Sequence, residues 1–279
     1  MAYVKTTFGY LKEHFWRMLA YCILPALVLG LVSSPVSLIR LLFSPQLDNT
    51  VSFSEVFLTG TDINKPYKIG IMVLAFLVYV FFAAACVGSV QHKMRYGQFY
   101  KPTAHNFFKM INGNFLSMAK GMIVLMVLME FLGLITTLFV FFWHRVVVVK
   151  AATTVLCVLT VLAFVAMFMF VATMLILTVP NMTMRGFGLF KSIKLSWSTA
   201  IRKCKTLIPA VTVPIILCYI PLVIVNAFEV NLFMEILTQI FDVLFYLIAL
   251  MYYHVLMYVI FFDLENVEVA NENENKYWG

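Results

Sequence analysis

Apolar positions along the chain gather into six long runs, separated by short segments that hold most of the charge. A helix needs about 20 apolar residues to cross the hydrocarbon core of a bilayer. The runs 18–39, 69–92, 121–144, 151–180, 206–228 and 243–262 each meet that length, with Glu130 as the one charged interruption of the third. The apolar character of the fourth run reaches Met184, more than one crossing needs, but no turn signal appears before Pro180 and Asn181. A single long, tilted helix ending near Pro180 is therefore expected. Only 145–150 separate the third run from the fourth, enough for a tight hairpin. The pattern predicts an all-α polytopic membrane protein: six transmembrane helices in three hairpins, forming one integral membrane domain over 1–279.

Composition agrees with this pattern. Of the 279 residues, 63% are apolar and 12% charged, against roughly 45–50% and about 25% in soluble domains. A mean hydropathy of +0.95 excludes a disordered chain as well as a soluble globule. The first apolar run is long enough to span and is followed by further spans, so it reads as a retained helix and not a cleaved signal peptide. The cysteines Cys22, Cys86, Cys157, Cys204 and Cys218 are odd in number and scattered, with no CxxC pair. They read as small packing residues, and neither a disulfide framework nor a metal site is expected.

Charge sets the direction of the crossings. One side carries Lys5, Lys12, Arg17, Lys93, Arg95, Lys101, Lys109, Lys120, Arg185, Lys191, Lys194, Arg202, Lys203, Lys205 and Lys276. The other has only Arg40, Lys65, Lys68, Arg145 and Lys150. Cytoplasmic loops hold the excess of Lys and Arg, which places both termini in the cytoplasm. The net charge of +7 thus reflects topology and anionic headgroups, and no nucleic-acid partner is expected.

The cytoplasmic segments resemble one another. Spans two and four leave through Met94-Arg95-Tyr96-Gly97 and Met184-Arg185-Gly186-Phe187, and aromatic, basic segments (8–17, 105–120, 187–205) precede the odd spans. In the last of these, Phe190, Ile193, Trp197 and Ile201 recur at helical spacing, with Lys191, Lys194, Arg202 and Lys205 on an adjoining face. This is the pattern of a helix lying in the headgroup layer, anchored by Trp197, and a candidate contact for anionic lipid or a partner.

Ionisable residues at membrane depth are functional-site candidates, since insertion of one costs about 2.5–3.5 kcal/mol. Glu130 follows Lys120 by about 15 Å of helix, and His254 precedes Asp263 by about 13–14 Å. At matching depth, Glu130 and His254 form a candidate intramembrane pair, with Tyr252, Tyr253 and Tyr258 as nearby hydroxyl donors. Pro25, Pro35, Pro209, Pro214 and Pro221 each free a backbone carbonyl that a neighbour or water must satisfy. Ala84 and Gly88 are spaced for close helix packing. Asp242 is expected at a wetted outer end of span six, 41–67 as the one sizeable outer loop, and 264–279 as a disordered tail.

No P-loop, HExxH or supported GxSxG motif occurs, and neither a cofactor nor an enzymatic activity is expected. The run from Phe190 through Ser196-Trp197, after a span ended by Pro180, resembles bacterial six-helix families related to the membrane domain of glycerophosphodiester phosphodiesterases. Phe261-Phe262-Asp263-Leu264 is similar to the exit of their last span, and Asn106-Phe107-Phe108-Lys109 with Asn114-Phe115 resembles YesL-like membrane proteins. The resemblance implies a bacterial plasma-membrane protein, without the phosphodiesterase domain. The expected role is a non-enzymatic multi-pass scaffold or accessory subunit, working with a separate membrane or soluble subunit. The alternative is a small-molecule or lipid transporter with a path near Glu130 and His254.

Overall fold

The computed structural model describes residues 2–32, 53–54, 66–147, 149–227 and 232–277. Most of the expected outer loop 41–67, together with Pro35, lies outside these residues. Regular structure among the described residues is helical throughout: α1 (Ala2–Val32), α2 (Pro66–Tyr96), α3 (Ala104–Val146), α4 (Lys150–Leu175), α5 (Thr178–Arg185), α6 (Leu189–Arg202), α7 (Cys204–Ala227) and α8 (Leu232–Tyr277). Six stretches are long and apolar enough to cross a membrane, on α1, α2, α3, α4–α5, α7 and α8. The chain is accordingly a multi-pass membrane protein.

The aromatic, basic segments that precede the odd spans take three different forms. The first is continuous with its span through a kink at His14, whose backbone leaves helical geometry (φ −121°, ψ 21°). The second runs unbroken into α3, which starts where the Thr103 hydroxyl accepts the Asn106 amide at 3.3 Å. The third is a separate helix, α6, because the backbone leaves helical geometry at Lys203 before α7 begins. Lys205 consequently belongs to α7, apart from Lys191, Lys194 and Arg202 on α6. The two exits that look alike in sequence do share their chemistry. Gly97 and Gly186 take positive φ (71° and 66°), each closing a helix where a side chain would be strained.

Helix α8 is the hub. It packs along α1 most extensively, and also against α7, α2 and α5. Lipid is as apolar as leucine, so association inside a bilayer depends on close packing and hydrogen bonds more than on a hydrophobic drive. Both devices are present. At Gly30 an added Cβ would lie 2.9 Å from the Val243 backbone, so α1 and α8 approach to a distance only glycine permits. At Gly88 it would lie 2.8 Å from Met110 Cβ and 2.9 Å from Asn114 Nδ2, which brings α2 against α3 as the Ala84/Gly88 spacing predicts. The core where α1, α2 and α8 meet is filled by Met18, Cys22, Val80, Ala84, Leu256 and Met257, all buried.

Proline is accommodated in two different ways. The expected single helix ending near Pro180 is two: α4 stops at Leu175 and α5 starts at Thr178. Proline lacks the amide proton an inner helical turn requires, but the first turn of a helix has no use for it. Breaking the helix upstream places Pro180 in that first turn. In α7 the helix instead continues through Pro209, Pro214 and Pro221.

Candidate functional site

The break between α4 and α5 is held by a side chain from α6. Ser196 donates its hydroxyl to the Met174 carbonyl at 2.6 Å and accepts the Leu177 amide at 3.1 Å. One buried hydroxyl thus serves a carbonyl at the end of one helix and an amide at the start of the next. Such groups otherwise have no intrahelical partner. Ser192, Ser196 and Ala200, spaced four apart, form the buried face of α6 and let it lie close on the bundle.

The apolar bulk of α6 is exposed beside that buried face. Phe190 is 85% exposed, Ile201 51% and Trp197 40%, the reverse of what a water-soluble helix shows. Trp197 rests edge-on against Phe170 of α4, at 6.1 Å between ring centroids. Phe190, Ile193, Lys194, Trp197, Ile201 and Arg202 share one open face of α6. Lys191 and Lys194 are both exposed, Lys191 with its ammonium 3.9 Å from the centroid of the Phe187 ring. Arg202 is oriented by a 2.9 Å hydrogen bond to the Ser198 hydroxyl. Large rings and cations on one open face match the interface between acyl chains and headgroups. The lipid-contact residues expected from sequence are therefore together, except for Lys205, which is exposed on the neighbouring helix.

Glu130 and His254 are not brought together. His254 is 1% exposed, in the centre of the bundle. Glu130 is exposed on the outside of α3, in a row with Ile123, Val127, Leu134 and Leu138, all exposed. No hydrogen bond or ion pair joins the two. Depth places a residue along a helix axis, whereas its angle around the axis decides whom it meets. The packed face of α3 carries Asn114, Met118, Leu132 and Thr136 instead.

His254 has another partner. Its Nε2 lies 3.2 Å from the Tyr79 hydroxyl of α2, and its Nδ1 has no hydrogen-bond partner. A cavity of about 40 Å³, water-sized, lies against Tyr79, His254 and Thr178. The tyrosines expected around a Glu130–His254 pair point elsewhere. Tyr252 donates to the Ala210 carbonyl at 2.6 Å, Tyr258 shares a 2.7 Å hydrogen bond with Thr183, and Tyr253 reaches the Ala172 carbonyl at 3.5 Å. Ala210 is four residues before Pro214, so Tyr252 supplies the proton that proline cannot. Each tyrosine thereby ties α8 to a different helix.

Asp242 also departs from expectation. It is buried rather than wetted, because α8 begins at Leu232 and carries Asp242 along its length beside the buried Thr238. At the other end, Asp263 of the Phe-Phe-Asp-Leu exit accepts a 2.7 Å hydrogen bond from the Tyr3 hydroxyl. Burial, then that carboxylate, hold the Tyr3 phenol well above its ordinary range. Ser196, Tyr79 and Tyr252 carry structural roles that apolar periodicity does not reveal. For Ser196 and Tyr252 the signal is a hydroxyl placed opposite a helix break or a proline, and for Tyr79 it is the buried His254 that its hydroxyl meets.

Comparison with family models, curated proteins and solved structures finds no match to this chain.

Proposed function

We propose that the chain is a non-enzymatic membrane scaffold or accessory subunit of the plasma membrane. In this reading α6 lies in the cytoplasmic headgroup layer and grips anionic lipid. The observation that carries it is the inverted α6: small residues buried against the bundle, with Phe190, Trp197 and Ile201 exposed beside Lys191, Lys194 and Arg202. An exposed apolar stripe of this size needs a cover, and acyl chains provide one where the helix meets the membrane. The cations then meet headgroup phosphates, and a separate subunit docks on the same basic side. The Ser196-Trp197 segment that carries the resemblance to six-helix membrane families is the one that locks α6 in place.

A transport path near Glu130 and His254 is the weaker reading. Glu130 faces outward, and the space beside His254 is about 40 Å³.

Lipid retention tests the leading reading. The purified chain is placed in nanodiscs with equal phosphatidylglycerol and phosphatidylcholine, and bound lipid is identified by native mass spectrometry. Each cation near an anionic surface contributes about 1 kcal/mol. Replacing Lys191, Lys194 and Arg202 together by Gln is expected to lower the preference for phosphatidylglycerol by about a hundredfold, at about 1.4 kcal/mol per factor of ten. No preference in the parent chain, or an unchanged one in the variant, would sink the proposal.

A further inference from the structure

Three residues far apart in the chain converge in the core. Cys22 comes from α1, Cys86 from α2 and His254 from α8, and each is 1% exposed or less. The two sulfurs are 4.0 Å apart, and one ligand atom from each residue lies within 4.8 Å of the others. Met18 adds a thioether 4.0 Å from the Cys86 sulfur. Both cysteines are free thiols.

We propose that Cys22, Cys86 and His254 form a binding site for a thiophilic d10 metal ion, Zn(II) or Cu(I), that clamps α1, α2 and α8 together. The spacing fits. Metal–sulfur bonds of about 2.3 Å at tetrahedral angles put two sulfurs about 3.8 Å apart. The histidine is prepared as ligating histidines are, with one ring nitrogen held by an outer partner. Tyr79 engages Nε2, which leaves Nδ1, buried and without a hydrogen-bond partner, to ligate. The donor set of two thiols and an imidazole holds no carboxylate and suits a thiophilic ion.

Charge favours zinc of the two. Each thiol gives up its proton on binding, and two thiolates with a neutral imidazole balance a divalent ion. The site then has no net charge to bury in a low-dielectric core. Copper(I) with two thiolates leaves one negative charge. Three protein ligands leave a fourth position open, but the set is buried away from solvent and substrate, so the ion acts as a staple and not as a reaction centre.

Metal content tests the proposal. The full chain, purified in detergent under reducing conditions, is loaded with Zn(II) in one arm and Cu(I) in the other. It is then passed over a desalting column and assayed by mass spectrometry of the elements. One ion per chain is expected in the matching arm, which identifies the metal. Cys22→Ser and Cys86→Ser are each expected to lose at least about tenfold in retention, and Tyr79→Phe about as much through the outer shell. Cys157→Ser and Cys204→Ser should retain the ion in full.

Should a cysteine variant fail to fold, cobalt(II) loading of the parent chain decides instead. Thiolate ligation gives an intense sulfur-to-cobalt charge-transfer band, and bound metal shields Cys22 and Cys86 from alkylation while Cys204 still reacts. Failure to retain either metal, equal retention in folded Cys22→Ser and Cys86→Ser chains, or a cobalt complex without the sulfur band would each overturn the proposal. So would a Cys22–Cys86 disulfide in the chain as purified.

Discussion

Pro180 and Pro214 pose the same problem in two regions of the molecule and receive opposite solutions. Each removes an amide proton from an apolar helix. At Pro180 the helix breaks upstream, and Ser196 from another helix serves the buried ends. At Pro214 helix α7 continues, and Tyr252 from α8 supplies the missing donor to Ala210. The difference lies in what each region needs. The break ends α4 and lets the short α5 pack within the bundle ahead of α6, whereas α7 must complete its crossing. In both cases a hydroxyl from elsewhere makes the backbone tolerable in a bilayer, where water cannot.

The largest effect is expected at the break. Ser196→Ala removes both hydrogen bonds at once and leaves a buried carbonyl and a buried amide without partners. At about 1–3 kcal/mol for each unsatisfied group, the loss of stability should be on the order of 2–5 kcal/mol. Thermal unfolding in detergent measures it. Ser196→Thr keeps the hydroxyl, and if packing admits its methyl it should recover part of the loss. An alanine variant as stable as the parent would show that water already serves this break.

A smaller effect, with a sharper signature, is expected at Pro214. Tyr252→Phe leaves one carbonyl unserved and should cost about 1–3 kcal/mol. In a Pro214→Ala background the restored amide serves Ala210 itself, and the same Tyr252→Phe change should then cost less by about 1 kcal/mol. A double-mutant cycle in the same unfolding assay isolates that coupling. Strict additivity of the two changes would separate Tyr252 from the proline and leave it a packing residue.

Much of this architecture is legible in the chain because crossing a bilayer demands length and apolarity, which are local properties. The six stretches, the Gly88 contact and the exposed stripe on α6 all follow from composition or period. What escapes is angular or non-local. The break at Leu175 precedes the proline that motivates it, because a first-turn proline is acceptable where an inner one is not. Glu130 and His254 agree in depth and differ in direction. Three helices bring Cys22, Cys86 and His254 together although no spacing along the chain links them, and a reading based on ligand spacing passes over such a set. On α3 the informative residues are the small and polar ones: Asn114 and Thr136 mark the packed face, while the apolar residues are shared between both faces.

The smallest effect separates Glu130 from these buried groups. Surface positions away from packed features change stability by about 0.5 kcal/mol or less. Glu130 sits in an exposed row with Val127 and Leu134 and has no side-chain partner across the bundle. Glu130→Gln should accordingly leave the unfolding temperature of the isolated chain unchanged within error. His254→Ala, which empties a buried site and removes the partner of Tyr79, should cost about 2 kcal/mol or more. Because the two residues share no contact, the double variant should equal the sum of the singles. A measurable coupling between them would restore the intramembrane pair that depth alone suggests, and with it a polar link from the outer face of α3 to the centre of the bundle.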